Sequence, residues 1–535
     1  MRHGGAGTIR FDREQPRFDK PGVQGNASLL AASNNRWDEN ADISLWSEEG
    51  YLRLMGNKSR SNDYKNGNGG RVPSKWDKWN SDMALVWTSD KDTLIELTAG
   101  KGDGESRYAG RSMGCSQFMR ESLGTRLEKS NIGEVFQIFE ANVYYNYIYH
   151  IMDNYSLRSP DGGMSGGMAE GMTDGGMGNA MDAGMSMDMN MPMAMEVDRR
   201  NVGGRMMGTW EWADVELKSG ADTQLNTHRN KMDNSWVKDA RFHEYGLFSE
   251  LTWNTSDSSK VVGGARLDRV LVDNFSRKGS SERTDTLPVG FVRFEHTLSE
   301  IPLMLYAGLG YTERFPDYWE LFSPTYGPGT SDAFDKVKTE KTTQLDIGAQ
   351  YSGKRTNARV SAYVGRVNDF ILFRYDLSDS YISQVDNINS TIMGGEAGVS
   401  YKLTDSWKTD ANLAYSWGRN TVDGKPLPQI PPLEARLGFS RESGNWRTTG
   451  LVRLVSSQHR MAINEGNVVG KDFDRNAGFA VVSANAAYRV TKYVKLSAGV
   501  DNLLEKDYSE HLKLAGNSSF GYSAHTSVNE PGRTF

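Results

Sequence analysis

The sequence predicts an all-β protein, a large transmembrane antiparallel β-barrel, on three observations. Apolar and polar residues alternate with period two over much of the chain. Aromatic side chains recur on the apolar side of that alternation. Nowhere do about 18 consecutive apolar residues run together, which excludes a membrane-spanning helix but not a barrel. The composition agrees: among 535 residues there are 57 Gly, 23 Tyr, 20 Phe and 13 Trp against 15 Pro, a mixture of turn formers and β-favouring side chains. A mean hydropathy of −0.60 is no objection. Barrel strands interleave lipid-facing apolar residues with lumen-facing polar ones, so the average stays low.

Residues 136–154 carry the clearest pattern. Phe139, Ala141, Val143, Tyr145, Tyr147, Tyr149 and Ile151 fall on one face, with Glu140, Asn142, Tyr144, Asn146, Ile148, His150, Met152 and Asn154 on the other. Residues 342–351 repeat it, with Leu345, Ile347 and Tyr351 opposed to Gln344, Asp346 and Gln350; residues 411–417 place Ala411, Leu413, Tyr415 and Trp417 together. A soluble sandwich would fill its inner face with Val, Ile and Leu. Recurrent Tyr and Trp fit interfacial girdles better. Hydrophilic segments at 57–72, 256–258 and 277–285 read as hairpin connections of unequal length, the long ones on one side. The length then suits about 22 strands, a size whose lumen needs a plug.

Charge and cysteine content narrow the function. With 62 Lys and Arg against 68 Asp and Glu, the net charge of −6 argues against a nucleic-acid grip. The single cysteine, Cys115, excludes an intrachain disulfide and a cysteine-cluster metal site. No Gly-x-Ser-x-Gly, His-Glu-x-x-His or Walker loop occurs, so no enzyme constellation emerges. Met1 leads into Arg-His-Gly-Gly-Ala-Gly-Thr-Ile without the apolar core of a secretory signal, which suggests either a cytoplasmic chain or one whose beginning lies further upstream.

One low-complexity block spans 161–195 and holds Met164, Met168, Met172, Met177, Met181, Met185, Met187, Met189, Met191, Met193 and Met195. Gly and Asp between them deny it a packed core, and the spacing fits no apolar helix face; the reading is a mobile loop. Thioether sulfur is a soft, uncharged ligand suited to Cu(I) or Ag(I) rather than magnesium or calcium, and it loses no affinity through protonation. His150 and Met152 immediately precede the block and share the polar, lumen-facing parity. Lying roughly 7 Å apart along the strand, they can lean together on one ion. Taken alone, His150 would be an ordinary lumenal hydrogen-bonding residue; its position beside the methionines favours a ligand. Cys115 and Met119 share parity with Leu123 and Leu127, opposite Arg120 and Arg126, and are expected to face lipid or a loop edge. His459 and Met461 repeat the His-x-Met spacing without a methionine cluster nearby, and His511 reads as a polar rim residue.

Four segments carry a resemblance: Thr312-Glu-Arg-Phe-Pro-Asp-Tyr-Trp-Glu-Leu321, Glu340-Lys-Thr-Thr-Gln-Leu-Asp-Ile-Gly348, Leu427-Pro-Gln-Ile-Pro-Pro-Leu-Glu-Ala-Arg-Leu437 and Val500-Asp-Asn-Leu-Leu-Glu-Lys-Asp-Tyr508. Together with the methionine block and His150-Ile-Met152, they make the chain resemble the TonB-dependent outer-membrane copper receptors, the OprC-like group. The resemblance implies a bacterial outer-membrane, multi-pass barrel that binds copper ions and imports them with energy from the TonB complex. It also implies copper held by a His-x-Met pair on a barrel strand, which carries over to His150 and Met152, with a cysteine and a methionine from the plug. Those plug ligands have no counterpart here, and Cys115 and Met119 do not replace them. Residues 1–18 are expected to be the last plug segment, 19–535 the barrel, with a methionine-rich extracellular loop at about 157–205; the plug is almost entirely missing and the closing strand is expected beyond Phe535. Two other functions stay open: a siderophore or other metal-chelate receptor in which the loop is incidental, and a surface copper-sequestering protein.

Overall fold

The computed structural model describes residues 20–158, 192–275, 280–322, 325–326, 333–375, 383–516 and 526–535. Strands dominate, and 23 of them form one sheet. Two of these, Thr325–Tyr326 and Glu465–Gly466, are two-residue pieces laid against the wall. The long strands run as an antiparallel meander from Gly22–Ala32 to Lys495–Val500, each paired with its sequence neighbours. This is the barrel expected from the alternation. At its ends, Ser33 donates its amide to the Phe535 carbonyl and the Phe535 amide donates to Ser33 Oγ, both at 3.0 Å.

The two rims differ as expected. On one, connections are tight, as at 48–49, 91–92, 213–214, 257–258 and 444–445; on the other, apart from the turns at 33–35 and 233–234, they are longer, as at 62–75, 154–193, 315–339 and 456–478. Two hydrophilic segments are corrected in part: 57–61 and 282–285 lie within the strands Gly50–Ser61 and Glu282–Thr297, because polar lumen-facing positions look like loop in one dimension. The outer face carries exposed Leu123, Val143, Leu247, Leu267, Val292, Ile347 and Val360, with Trp87, Trp212, Trp253, Trp407 and Trp446 near the tight-turn rim. Such a belt would aggregate in water and is solvated by acyl chains, with aromatics at the headgroup level.

The inner face is charged and internally neutralised. Arg266 grips Asp268 and Asp222 bidentately at 2.5 to 2.8 Å. Gly246 makes that possible, since a Cβ there would stand 2.1 Å from Arg266 Nη2. Arg120 likewise reaches across the intervening strand Thr93–Ser106 to bind Asn80 and Asp82 at 2.7 Å.

The largest apolar cluster belongs to a cap on the long-loop rim. Phe315, Tyr318, Leu321, Phe322, Phe334 and Val337 pack on Phe242, Val270, Val272, Leu287 and Phe373 of the wall. Two short helices, Tyr318–Phe322 and Ala333–Lys336, build it. The first starts with a reciprocal capping box: Glu320 N–H donates to Asp317 Oδ1 (2.9 Å) and Asp317 N–H donates to Glu320 Oε2 (2.8 Å). Arg314 then ties Glu320 to Glu340 on the next long strand. Burial, with the Glu320 carboxylate beside it, pushes the Asp317 carboxyl above the usual range.

Candidate metal centre

Cross-strand register shows which way each candidate ligand points. In the strand Phe136–Asp153, Val143 is 57% exposed on the face it shares with Leu123 of the preceding strand, Gly114–Lys129, at 60%. The opposite face pairs Glu140 with Arg126 and carries the Tyr144 phenol, which crosses Gly203 to donate to Gln224 at 3.2 Å. It is the lumenal face. His150 and Met152 lie on it, one residue pair apart, near the long-loop rim. His150 stands between Phe118 and Val197, its ring edge-on to Phe118 with centroids 5.3 Å apart.

Met152 stands between Cys115 and Met195. Cys115 therefore faces the lumen, against the expectation of a lipid-facing or loop-edge residue. The cause is a β-bulge: Gln117 pairs with Ile151 and Cys115 with Met152, so Ser116 is the extra residue and the parity inverts above it. Met119, below the bulge, keeps the outward parity opposite Tyr149, as expected. Met195 is likewise not in a loop. The strand Ala194–Trp212 begins before it, so the segment 194–205 belongs to the wall rather than to the expected loop.

The row is roofed. Met152 is 2% exposed and Cys115 3%. Asp153 accepts the amides of Tyr155 and Ser156 and turns the chain back, and Leu157 reaches Gly114 while its carbonyl accepts from Arg107 (3.2 Å). Asn154 and Met193 exchange hydrogen bonds, which brings the two flanks of the methionine-rich block together directly over this row. Met164, Met168, Met172, Met177, Met181, Met185, Met187, Met189 and Met191 lie outside the described residues. One row inward from His150, Arg199 pairs with Ile148 and His228, and His228 stacks on Tyr318 of the cap at 4.2 Å.

Among the described residues no three His, Cys, Asp or Glu side chains converge as a metal-holding group. What the register places on adjoining rows of one face is one imidazole with two thioethers and a thiol, donors suited to a soft ion. The remaining candidates separate from this place. His459 is exposed past the end of the strand Trp446–Val455 and shares a hydrogen bond with Ser457 Oγ at 2.8 Å. His511 is at the long-loop rim, as expected, and buried there in a packed polar cluster, with Nε2 3.4 Å from Asp472 Oδ1 and Nδ1 3.1 Å from Asn476 Oδ1 of the connection 456–478.

An antiparallel barrel with an apolar outer belt, a charged lumen and soft donors beneath one rim defines a membrane-spanning receptor or transport barrel. Over residues 56–503 the sequence matches the family described as TonB dependent receptor-like, beta-barrel, and the chain belongs to that family. Among solved structures it is similar to "Copper transporter OprC", with 52% identity, a TM-score of 0.91 and coverage of 98% of this chain and 83% of that one. Curated relatives include the ferric enterobactin receptor of Pseudomonas aeruginosa (22% identical over 370 residues, 61% of this chain and 46% of that protein) and the ferric-pyoverdine BN7/BN8 receptor of Pseudomonas putida (21% over 288 residues, 51% and 32%). The chain thus spans less than half the length of these curated relatives.

Proposed function

We propose that this receptor takes copper ions from outside the bacterial outer membrane, holds them on His150 and Met152, and passes them to the periplasm with energy delivered through the TonB complex. One observation carries the reading. The imidazole and the thioether share the lumenal face of one strand, directly below the point where the methionine-rich block leaves and rejoins the wall. Thioethers on that block would gather a soft ion at the mouth, and the His-x-Met pair would receive it inside. The 52% identity to a structure titled as a copper transporter supports this cargo over a ferric siderophore, for which the named relatives reach only 21 and 22%. Copper is cargo here; the residues bind and release it, and no turnover chemistry is assigned.

The test is copper content and uptake. The receptor carrying both His150→Ala and Met152→Ala is expressed in outer membranes, copper is measured in the purified protein, and copper-dependent uptake is compared with and without TonB. Loss of bound copper together with TonB-dependent uptake supports the proposal. Unchanged stoichiometry defeats the ligand assignment, uptake that needs an added chelator favours a chelate receptor, and binding without TonB-dependent uptake favours sequestration.

A further inference from the structure

We infer that Cys115, Met152 and Met195 form a three-sulfur site on the lumenal wall for a monovalent soft cation, Cu(I) or Ag(I). This deepens the proposed function, with which it shares Met152, by fixing the charge of the cargo. The three residues sit on three adjacent strands at one register level, Met152 in the middle. Directly opposed side chains in an antiparallel pair have Cβ atoms about 5 Å apart, and the unbranched thioethers are long and flexible enough for their sulfurs to close on one ion from both sides. The bulge at Ser116 is what brings the thiol into this row; regular alternation would have put Ser116 there. Cys115 Sγ donates to the Gln117 carbonyl at 3.4 Å, a weak S–H···O bond that a metal–sulfur bond would replace.

Donor softness selects the ion. On binding, the Cys115 thiol gives its proton to solvent and the thiolate bonds the metal. Thiolate, two neutral thioethers and a monovalent cation then sum to a neutral group, which a site with Cys115 and Met152 almost wholly buried accommodates. A divalent ion in the same place would leave a net positive charge. Asp153, the next residue along, accepts from Tyr155 and Ser156 and keeps its negative charge, so the discrimination rests on the donor atoms rather than on net charge. Arg199, four residues along from Met195 on the same face, adds positive charge nearby. Thiolate and thioether donors favour Cu(I) over harder divalent ions.

The experiment titrates the full-length receptor, purified in detergent, with Ag(I) and with Cu(I) under reducing conditions, and counts sulfur neighbours by copper X-ray absorption. Wild type is compared with Cys115→Ser, Cys115→Ala, Met195→Leu and His150→Ala; Met195→Leu conserves volume and guards against a folding defect in the cysteine variants. The expected result is an affinity loss of at least tenfold in the Cys115 variants and in Met195→Leu, with one fewer sulfur neighbour in each, and no comparable competition by Zn(II). Wild-type affinity and sulfur count in those variants overturn the three-sulfur site. If His150→Ala alone loses binding, the His-x-Met reading survives and the three-sulfur site falls. If the Cys115 and Met195 variants lose binding while His150→Ala keeps it, the reverse holds.

Discussion

Replacing Met152 by leucine and, separately, by alanine separates what its sulfur does from what its bulk does. The side chain is 2% exposed between Cys115 and Met195, under the roof formed by residues 153–158. Alanine removes three heavy atoms from this packed position and leaves a cavity, costing about 2–5 kcal/mol of stability. Leucine conserves volume and costs less than about 1.5 kcal/mol. Both abolish the thioether. The affinity for Ag(I) should therefore fall by at least about tenfold, or about 1.4 kcal/mol, in both variants, whereas only Met152→Ala should also show a clearly lower unfolding temperature. Silver titration and thermal unfolding of the detergent-purified barrel measure the two quantities independently. Were Met152→Leu to bind silver like wild type while Met152→Ala did not, Met152 would act through packing and the metal role would be refuted.

Other parts of the wall and cap give further expectations. Arg266→Met removes the cation shared by Asp222 and the fully buried Asp268 and should cost about 3–5 kcal/mol; a loss below about 1 kcal/mol in thermal unfolding would contradict the buried-pair account. Tyr318→Phe deletes the hydroxyl that donates to buried Asp239 and should loosen the cap by about 1–3 kcal/mol, read as faster tryptic cleavage after Lys336 and Lys338; an unchanged cleavage rate counts against it. The Arg374 guanidinium holds the Asp423 carboxyl below its ordinary 3.8. A folded-state pKa below the unfolded one adds stability above the unfolded value and loses it as pH falls through the folded one. Unfolding temperatures on the acid side should therefore drop more steeply for wild type than for Asp423→Asn, and parallel curves would exclude that contribution.

The barrel was legible because a two-residue period survives wherever a wall separates lipid from lumen, and 136–154 (to Asp153), 342–351 and 411–417 lie in strands. The orientation of His150 and Met152 followed from the same period, since the strand Phe136–Asp153 pairs with the next one without a slip at that end. Cys115 was misread for the complementary reason. A bulge adds one residue to one strand and inverts the parity above it, and nothing in Gly-Cys-Ser-Gln-Phe marks the extra residue without the partner strand. Met195 was hidden by composition, since a run of methionines looks alike in loop and strand, and only pairing to Met152 distinguishes them. The segment Thr312–Leu321 was recognisable as a motif, yet its physical work was not: Arg314 ion-pairs with Glu320 and Glu340, and Asp317 caps the helix that covers the wall.

The burial of Cys115 has a practical consequence for spectroscopy. The chain holds one cysteine, and that thiol is almost wholly shielded from bulk solvent. Cysteines engineered at solvent-facing turns such as 233–234 or 444–445 would take up a maleimide fluorophore or a nitroxide with little background from the native residue. Pairs of such probes across the pore would report rim-to-rim distances without first mutating the donor set.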